Sequence, residues 1–329
     1  LKTFLKLIVT VALIALILWQ IGGVAPLVAA FQNVRWPFVV ALILIMVVDR
    51  AFKTYKWLLL LRPRGVDLKY AKALTVYCVA SFWGQVLPMT VGGDVVRLWL
   101  TTRLSGRFAV VAASIAMERV LGFVAALLAA LVGMLILDDI IELSAQRAQL
   151  WWAGVAVIVA GILTFWLSLS QRLFDALYGA LPASLANRKI VQRLRELHEA
   201  YLDYRDYGGA LRAFFALSLL EQVGPIVFVW LAARAIGVEL DILVAAAVVP
   251  LATLITRVPI SLAGIGVFEG MFMLLLPLGG VAAADAVSMA LLDRVVQIVA
   301  MAPWWLAMAL ATKSAKLPDV MRGEPRAPS

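Results

Sequence analysis

The sequence predicts an all-α membrane bundle of six full spans and two opposed re-entrant hairpins. Three observations carry this expectation. Of the 329 residues, 64% are hydrophobic and only 15% are charged, with a mean hydropathy of +0.97; a soluble domain sits nearer half apolar and a quarter charged. Apolar runs of about 20 residues, the length that crosses a bilayer core as a helix, recur along the chain. Basic residues cluster between those runs instead of being spread through them.

The first span is expected at 4–21. It has a basic start at Lys2 and Lys6 but no small-x-small cleavage site before Gly22-Gly23, so it reads as a retained span and not a cleaved leader. Further spans are expected at 38–60, 108–137, 150–169, 210–236 and 284–311. Two longer apolar regions, 71–104 and 242–279, are broken in the middle. The first contains Leu87-Pro88 followed by Gly92-Gly93-Asp94, and the second Val258-Pro259 followed by Gly264-Ile265-Gly266. A proline followed by glycines ends one helix and permits a tight turn into the next. At membrane depth such breaks survive only where protein or a water-filled cavity satisfies the freed backbone.

Lys and Arg set the orientation. Lys53, Lys56, Arg62, Arg64, Lys69 and Lys72 form one cluster; Arg97, Arg103 and Arg107 a second; and 172–212 holds a third. The loops between them carry Arg35, Arg147 and Arg234 together with Asp138, Asp139, Glu142, Glu239 and Asp241. The positive-inside rule then puts both termini and 170–212 on the cytoplasmic side of a bacterial inner membrane. Basic flanks at both ends make 71–104 enter and leave on that side, and 242–279 is then re-entrant from the opposite face. Eight straight spans are the alternative, at the expense of one basic group outside. The stretch 187–207 places Ile190, Leu194, Leu197, Tyr201 and Tyr204 at spacings of three and four. It reads as an amphipathic helix on the cytoplasmic surface or as a charged connector.

Several chemistries are excluded. Cys78 and His198 are each the sole residue of their type, so no intrachain disulfide and no Cys/His zinc site can form. There is no Gly-x-x-x-x-Gly-Lys-Ser/Thr loop for ATP. No cofactor or metal is expected. The net charge of +9 sits at span boundaries, where it reads as topology signal and lipid contact, not as a nucleic-acid surface.

The chain is expected to form a single membrane domain, 1–329, with pseudo-repeat halves near 1–137 and 210–311. Each broken region is followed by an acid-Arg-Val triplet, Glu118-Arg119-Val120 and Asp293-Arg294-Val295, 30 residues after Pro88 and 34 after Pro259. Halves entering from opposite faces would be an inverted repeat, a common transporter plan.

The informative residues are charges at membrane depth: Asp49, Asp94, Arg97, Glu118, Arg119, Glu221, Arg257, Glu269, Asp293 and Arg294. Each costs about 2.5–3.5 kcal/mol near the bilayer centre, even on lenient scales, unless it is paired or faces a cavity. Neighbours such as Glu118-Arg119 point about 100° apart on a helix, so each is expected to pair across to a broken segment. Asp94 and Glu269 fall in the first turn of the second arm, where a carboxylate caps free amides with no function required. The functional alternative is an anion site at the two hairpin tips. Gly92, Gly93, Gly264 and Gly266 would expose backbone amides there, with Arg97, Arg119, Arg257 and Arg294 as guanidinium donors. Asp94, Glu118, Glu269 and Asp293 would balance the charge or carry protons.

The ordered set Arg50-x-x-Lys53, Gly92-Gly93-Asp94-x-x-Arg97, Glu118-Arg119, Gly264-x-Gly266-x-x-Glu269 and Asp293-Arg294 resembles the lysylphosphatidylglycerol synthase transmembrane region family, from the first span to about 311. The resemblance implies a flippase-like domain that moves phospholipid or polyprenyl-linked lipid between leaflets. Nothing after Lys313 has the extent of the aminoacyltransferase domain of the full-length synthases, so lipid handling and not synthesis is the implied activity. The expected function is therefore lipid transport, not catalysis, with anionic membrane lipids as partners. A membrane-embedded enzyme acting on a lipid phosphate, or an accessory subunit of a lipid or glycan biosynthetic enzyme, are the alternatives. The sequence leaves a homo-oligomer or a membrane-enzyme partner open.

Overall fold

The structure is a computed structural model, and it describes residues 15–20, 23–32, 34–86, 92–140, 189–256 and 266–314, with isolated positions between 152 and 170. The described chain is all-helical. In order the helices are α1 Ala25–Gln32, α2 Trp36–Leu61, α3 Tyr70–Val86, α4 Gly92–Ser105, α5 Phe108–Ile140, α6 Lys189–Leu202, α7 Gly208–Glu221, α8 Val223–Ala235, α9 Ile242–Thr256, α10 Val267–Leu275 and α11 Ala283–Ser314. Phe108–Leu137, Arg195–Ala235 and Ala283–Leu310 are long and apolar enough to cross a membrane. The chain is a multi-pass membrane helical bundle. The expected spans 4–21 and 150–169 lie largely outside the described residues, as do Pro88, Arg257, Pro259 and Gly264.

Large apolar side chains cover exposed as well as buried faces, as a bilayer solvent requires. On α2, Trp36, Val40, Leu44 and Val48 recur every fourth residue and are exposed, while Val39, Leu42 and Met46 face the core. Pro37 starts α2, where its missing N–H costs nothing. The helix ends at a turn containing Pro63 and Gly65, the latter at φ +72°.

The expected span 210–236 falls, but for its last residue, within the crossing-length stretch Arg195–Ala235, and its helix is interrupted once. Pro225 has no N–H to donate to the Glu221 carbonyl, and the chain breaks at Gln222 between α7 and α8. A second proline is absorbed differently. Pro250 lies inside α9 and leaves the Ala246 carbonyl without its helical donor. A Cβ on Gly133 of α5 would stand 3.3 Å from that oxygen and 2.6 Å from the Ala247 oxygen. Only a glycine lets α5 close over this stretch of α9.

The consecutive pair α3–α4 packs together, and so does α9–α10. Each first arm also packs on the long helix that follows the other pair: α3 on α11, and α9 on α5. The central core mixes both halves, with Leu42, Phe228, Val248, Phe272 and Met289 among its buried members.

The stretch 189–202 is helical, as its periodicity indicates, and the C-terminal part of its apolar face is covered by protein. Ala200, Tyr201 and Tyr204 are buried against Leu60, Ala113, Met117 and Phe214, and the Tyr204 hydroxyl donates to the Leu60 carbonyl at 2.9 Å. From Leu197 to Tyr204 the amphipathic stripe is covered by α5 and α7; the side chains of Ile190 and Leu194 lie outside the described residues.

Candidate functional site

Three polar clusters lie inside the bundle. The first joins α3, α4 and α5. Asp94, in the first turn of α4, accepts from Arg119 Nε of α5 at 2.7 Å, and Arg97 stands 3.4 Å from its other oxygen. Arg97 is itself 2.8 Å from Glu118, which accepts the Tyr77 hydroxyl at 2.9 Å. The Arg97 guanidinium lies over the Trp57 and Tyr77 rings, 4.7 and 4.8 Å from their centroids, an attraction that strengthens as water is excluded. Arg97 is buried, with its side chain 4% exposed, whereas that of Arg119 is 55% exposed.

The second cluster joins α10 to α11. Glu269 takes the Gly266 N–H at 2.7 Å on one oxygen, and Arg294 Nε and Nη2 at 3.1 and 2.8 Å on the other. Gly266 sits at φ +82°, a conformation open to glycine and strained for other residues. The capping and pairing readings of Glu269 are thus both realised, one on each oxygen. Asp293 departs from expectation: its neighbour Arg294 turns to Glu269, and Asp293 accepts instead from Gln297 of its own helix at 2.7 Å.

The third cluster was not assembled from sequence. Lys53 of α2 is 2.9 Å from Asp49 and 3.5 Å from Glu221, and Lys56 pairs with Glu221 across the α7–α8 break. Lys56 is buried over the Phe214 ring, 4.5 Å from its centroid. Lys53 and Lys56 counted as boundary charges in the sequence; the fold places both inside, with Asp49 and Glu221 as their partners. The signal available was their spacing. Asp49, Lys53 and Lys56 recur every three to four residues and share one face of α2.

Two cavities adjoin these clusters. A polar one of about 220 Å³ is lined by Ser81, Gln85, Gly93, Asp94, Arg97 and Arg119, with Arg50 and Tyr77 at its side. A more apolar one of about 180 Å³ lies between Phe228, Val249 and Phe268, with Asp49, Lys53, Asp293 and Gln297 as its polar wall. Gly93, Asp94, Arg97 and Arg119 therefore share a cavity, while Gly266, Glu269 and Arg294 form a separate cluster outside that lining. Gly92 is buried at the start of α4. Arg257 and Gly264 lie outside the described residues.

The packing also gives Gly93 a structural reason. A Cβ there would stand 2.7 Å from the Ala80 carbonyl oxygen and 3.3 Å from Gly84 Cα. The close crossing of α3 and α4 requires the glycine before any ligand does.

Among the described residues, Lys53, Lys56, Arg97, Arg119 and Arg294 pair with Asp49, Glu221, Glu118, Asp94 and Glu269, while Asp293 is bonded to the neutral Gln297. Such a network can exchange a carboxylate for an incoming oxyanion without a large change of field. No curated protein matches the chain. The family described as "Lysylphosphatidylglycerol synthase TM region" matches residues 4–304, nearly the whole chain; the chain belongs to that family.

Proposed function

We propose that the chain moves an anionic lipid between leaflets, with the headgroup phosphate taken in the polar cavity of Asp94, Arg97 and Arg119 while the tail stays in the bilayer. The observation that carries this reading is the exposed guanidinium of Arg119 in that cavity, held by a carboxylate it can release. Guanidinium suits phosphate because its planar fork donates two parallel hydrogen bonds. At membrane depth the surrounding low dielectric strengthens the attraction.

The same reading takes α3–α4 and α9–α10 as hairpins re-entrant from opposite faces, with both termini cytoplasmic. Their exchanged packing on α11 and α5 supports an inverted repeat. So does the recurrence of an acid–Arg pair across an equal separation, Asp94–Arg119 and Glu269–Arg294, each 25 residues apart. The function proposed is transport without bond-making. A headgroup drawn to Arg119 displaces Asp94, which remains within reach of Arg97. Release follows when Asp94 recovers Arg119.

The test is reconstitution into phosphatidylcholine vesicles with a leaflet-specific fluorescent probe. Short-chain fluorescent phosphatidylglycerol should cross well above the rate of protein-free vesicles, and the phosphatidylcholine analogue should cross more slowly. Equal movement of the two probes contradicts the proposed headgroup site.

A further inference from the structure

Arg50, in the middle of α2, is the residue that lines both cavities. Its donors are poorly used. Nη1 stands 3.5 Å from Asp49, Nη2 is 3.4 Å from both Gln297 Oε1 and Met46 Sδ, and Nε is buried with no hydrogen-bond partner among the described residues. Ordinary N–H···O bonds run about 2.7–3.2 Å. Asp49 is closer to Lys53, at 2.9 Å, than to Arg50. Arg97, whose Nε is likewise without a partner among the described residues, and Arg294 each hold a carboxylate at 2.8 Å, which Arg50 does not. A largely buried guanidinium with idle donors is costly unless something occupies them.

The wall beside Arg50 is a side-chain bridge between the two halves. Gln85 Nε2 of α3 donates to Gln297 Oε1 of α11 at 2.6 Å. Gln85 faces the polar cavity and Gln297 the apolar one. The partition thus consists of one under-bonded cation and two neutral amides that can turn about their own side-chain torsions. On one side lie Asp94, Arg97 and Arg119; on the other lie Phe228, Val249 and Phe268.

We infer that Arg50 is an oxyanion receptor at this partition, binding the phosphate of a lipid headgroup as it passes between the cavities, with Gln85 and Gln297 as the gate. The inference rests on the lipid-transport reading for its ligand, but the receptor itself is tested by binding alone. A phosphate at Arg50 takes Nε and one Nη in a bidentate bond. The long contact to Gln297 is then given up, and the Gln85–Gln297 bridge loses a neighbour that holds it shut.

Native mass spectrometry of detergent-purified protein with dioleoyl phosphatidic acid or dioleoyl phosphatidylcholine tests the receptor. Arg50→Gln should weaken phosphatidic acid binding about tenfold or more and spare phosphatidylcholine, as loss of a charge-assisted bond implies. Arg50→Lys should recover part of the binding. Undiminished phosphatidic acid binding in both variants overturns the inference. Displacement of phosphatidic acid by inorganic phosphate would assign the site to the free anion and overturn the lipid assignment; failure to displace supports it. If wild type binds through Arg50 yet moves no lipid, the receptor stands and the transport reading falls. A second measurement does not depend on Arg50 variants folding. In a Cys78→Ser background, oxidation of Gln85→Cys/Gln297→Cys should slow phosphatidylglycerol movement in vesicles about tenfold, and reductant should restore it, if lipid must pass the gate. Full cross-linking with no change in rate overturns the gate.

Discussion

Arg294 donates through Nε and Nη2 to a single oxygen of Glu269, at 3.1 and 2.8 Å, from 25 residues further along the chain. Arg119 reaches Asp94 across the same separation. The equivalence ends at their surroundings. Glu269 is buried and also caps the Gly266 amide, whereas Asp94 and Arg119 open onto the polar cavity. One pair is a buried brace, and the other is the one to which the proposed function gives the headgroup.

The two arginines should therefore fail differently. Arg294→Gln strands a buried carboxylate, a change that typically costs about 3–5 kcal/mol. Adding Glu269→Gln should recover much of that loss. Arg119→Gln should cost under about 1 kcal/mol, as for exposed pairs, while removing the faster movement of the anionic lipid. Thermal unfolding in detergent by tryptophan fluorescence reads the first effect and vesicle transport the second. Equal loss of stability in the two single variants contradicts the division of roles.

Lys56 and Glu221 form a buried pair that fastens α2 to the α7–α8 break. Lys56→Met alone leaves Glu221 with only Lys53, at 3.5 Å, and should destabilise by several kcal/mol, about 3–5 on the usual scale for such breakage. Lys56→Met with Glu221→Gln should regain most of this, because a neutral pair carries no stranded charge. A double-mutant cycle on unfolding free energy checks the coupling. Additive losses would mean that the two side chains do not depend on one another.

Gly93 and Gly84 meet where α3 crosses α4, but unequally. An added Cβ at Gly93 would be 2.7 Å from the Ala80 carbonyl, whereas one at Gly84 finds its nearest atom at 3.5 Å. Gly93→Ala should cost about 1–3 kcal/mol through overpacking, and Gly84→Ala clearly less. The measurement is again thermal unfolding. A Gly93→Ala protein as stable as wild type would mean that the helices can part without penalty. A bulkier change at Gly93 is unsuitable as a transport probe, since it disturbs this crossing whatever the ligand does.

The features legible in the sequence were those that repeat or extend along the chain. Long apolar runs gave the bundle, and the acid-Arg-Val triplets led to Asp94–Arg119 and Glu269–Arg294, because neighbours on a helix diverge and must pair elsewhere. What stayed hidden depended on depth or on tertiary crossings. Positive-inside counting weighs Lys53 and Lys56 as boundary charges because it records sign and not depth. Their acids come from α2 itself and from a break at Pro225 that hydropathy alone runs through. The stripe of α6 has the pattern of a membrane-surface helix, and only the position of α5 and α7 decides that protein covers its end from Leu197 to Tyr201. Arg50 belongs to two cavities at once, a property no linear motif encodes.

The most direct measurement is the ratio of initial rates for short-chain fluorescent phosphatidylglycerol and phosphatidylcholine in one vesicle preparation, for wild type and for folded Arg119→Gln. Wild type should favour the anionic lipid about tenfold, the worth of one charge-assisted bond to the headgroup, and Arg119→Gln should bring the ratio near unity. A ratio near unity in wild type, or one left unchanged by Arg119→Gln, would contradict an anionic headgroup bound at the Asp94–Arg119 pair.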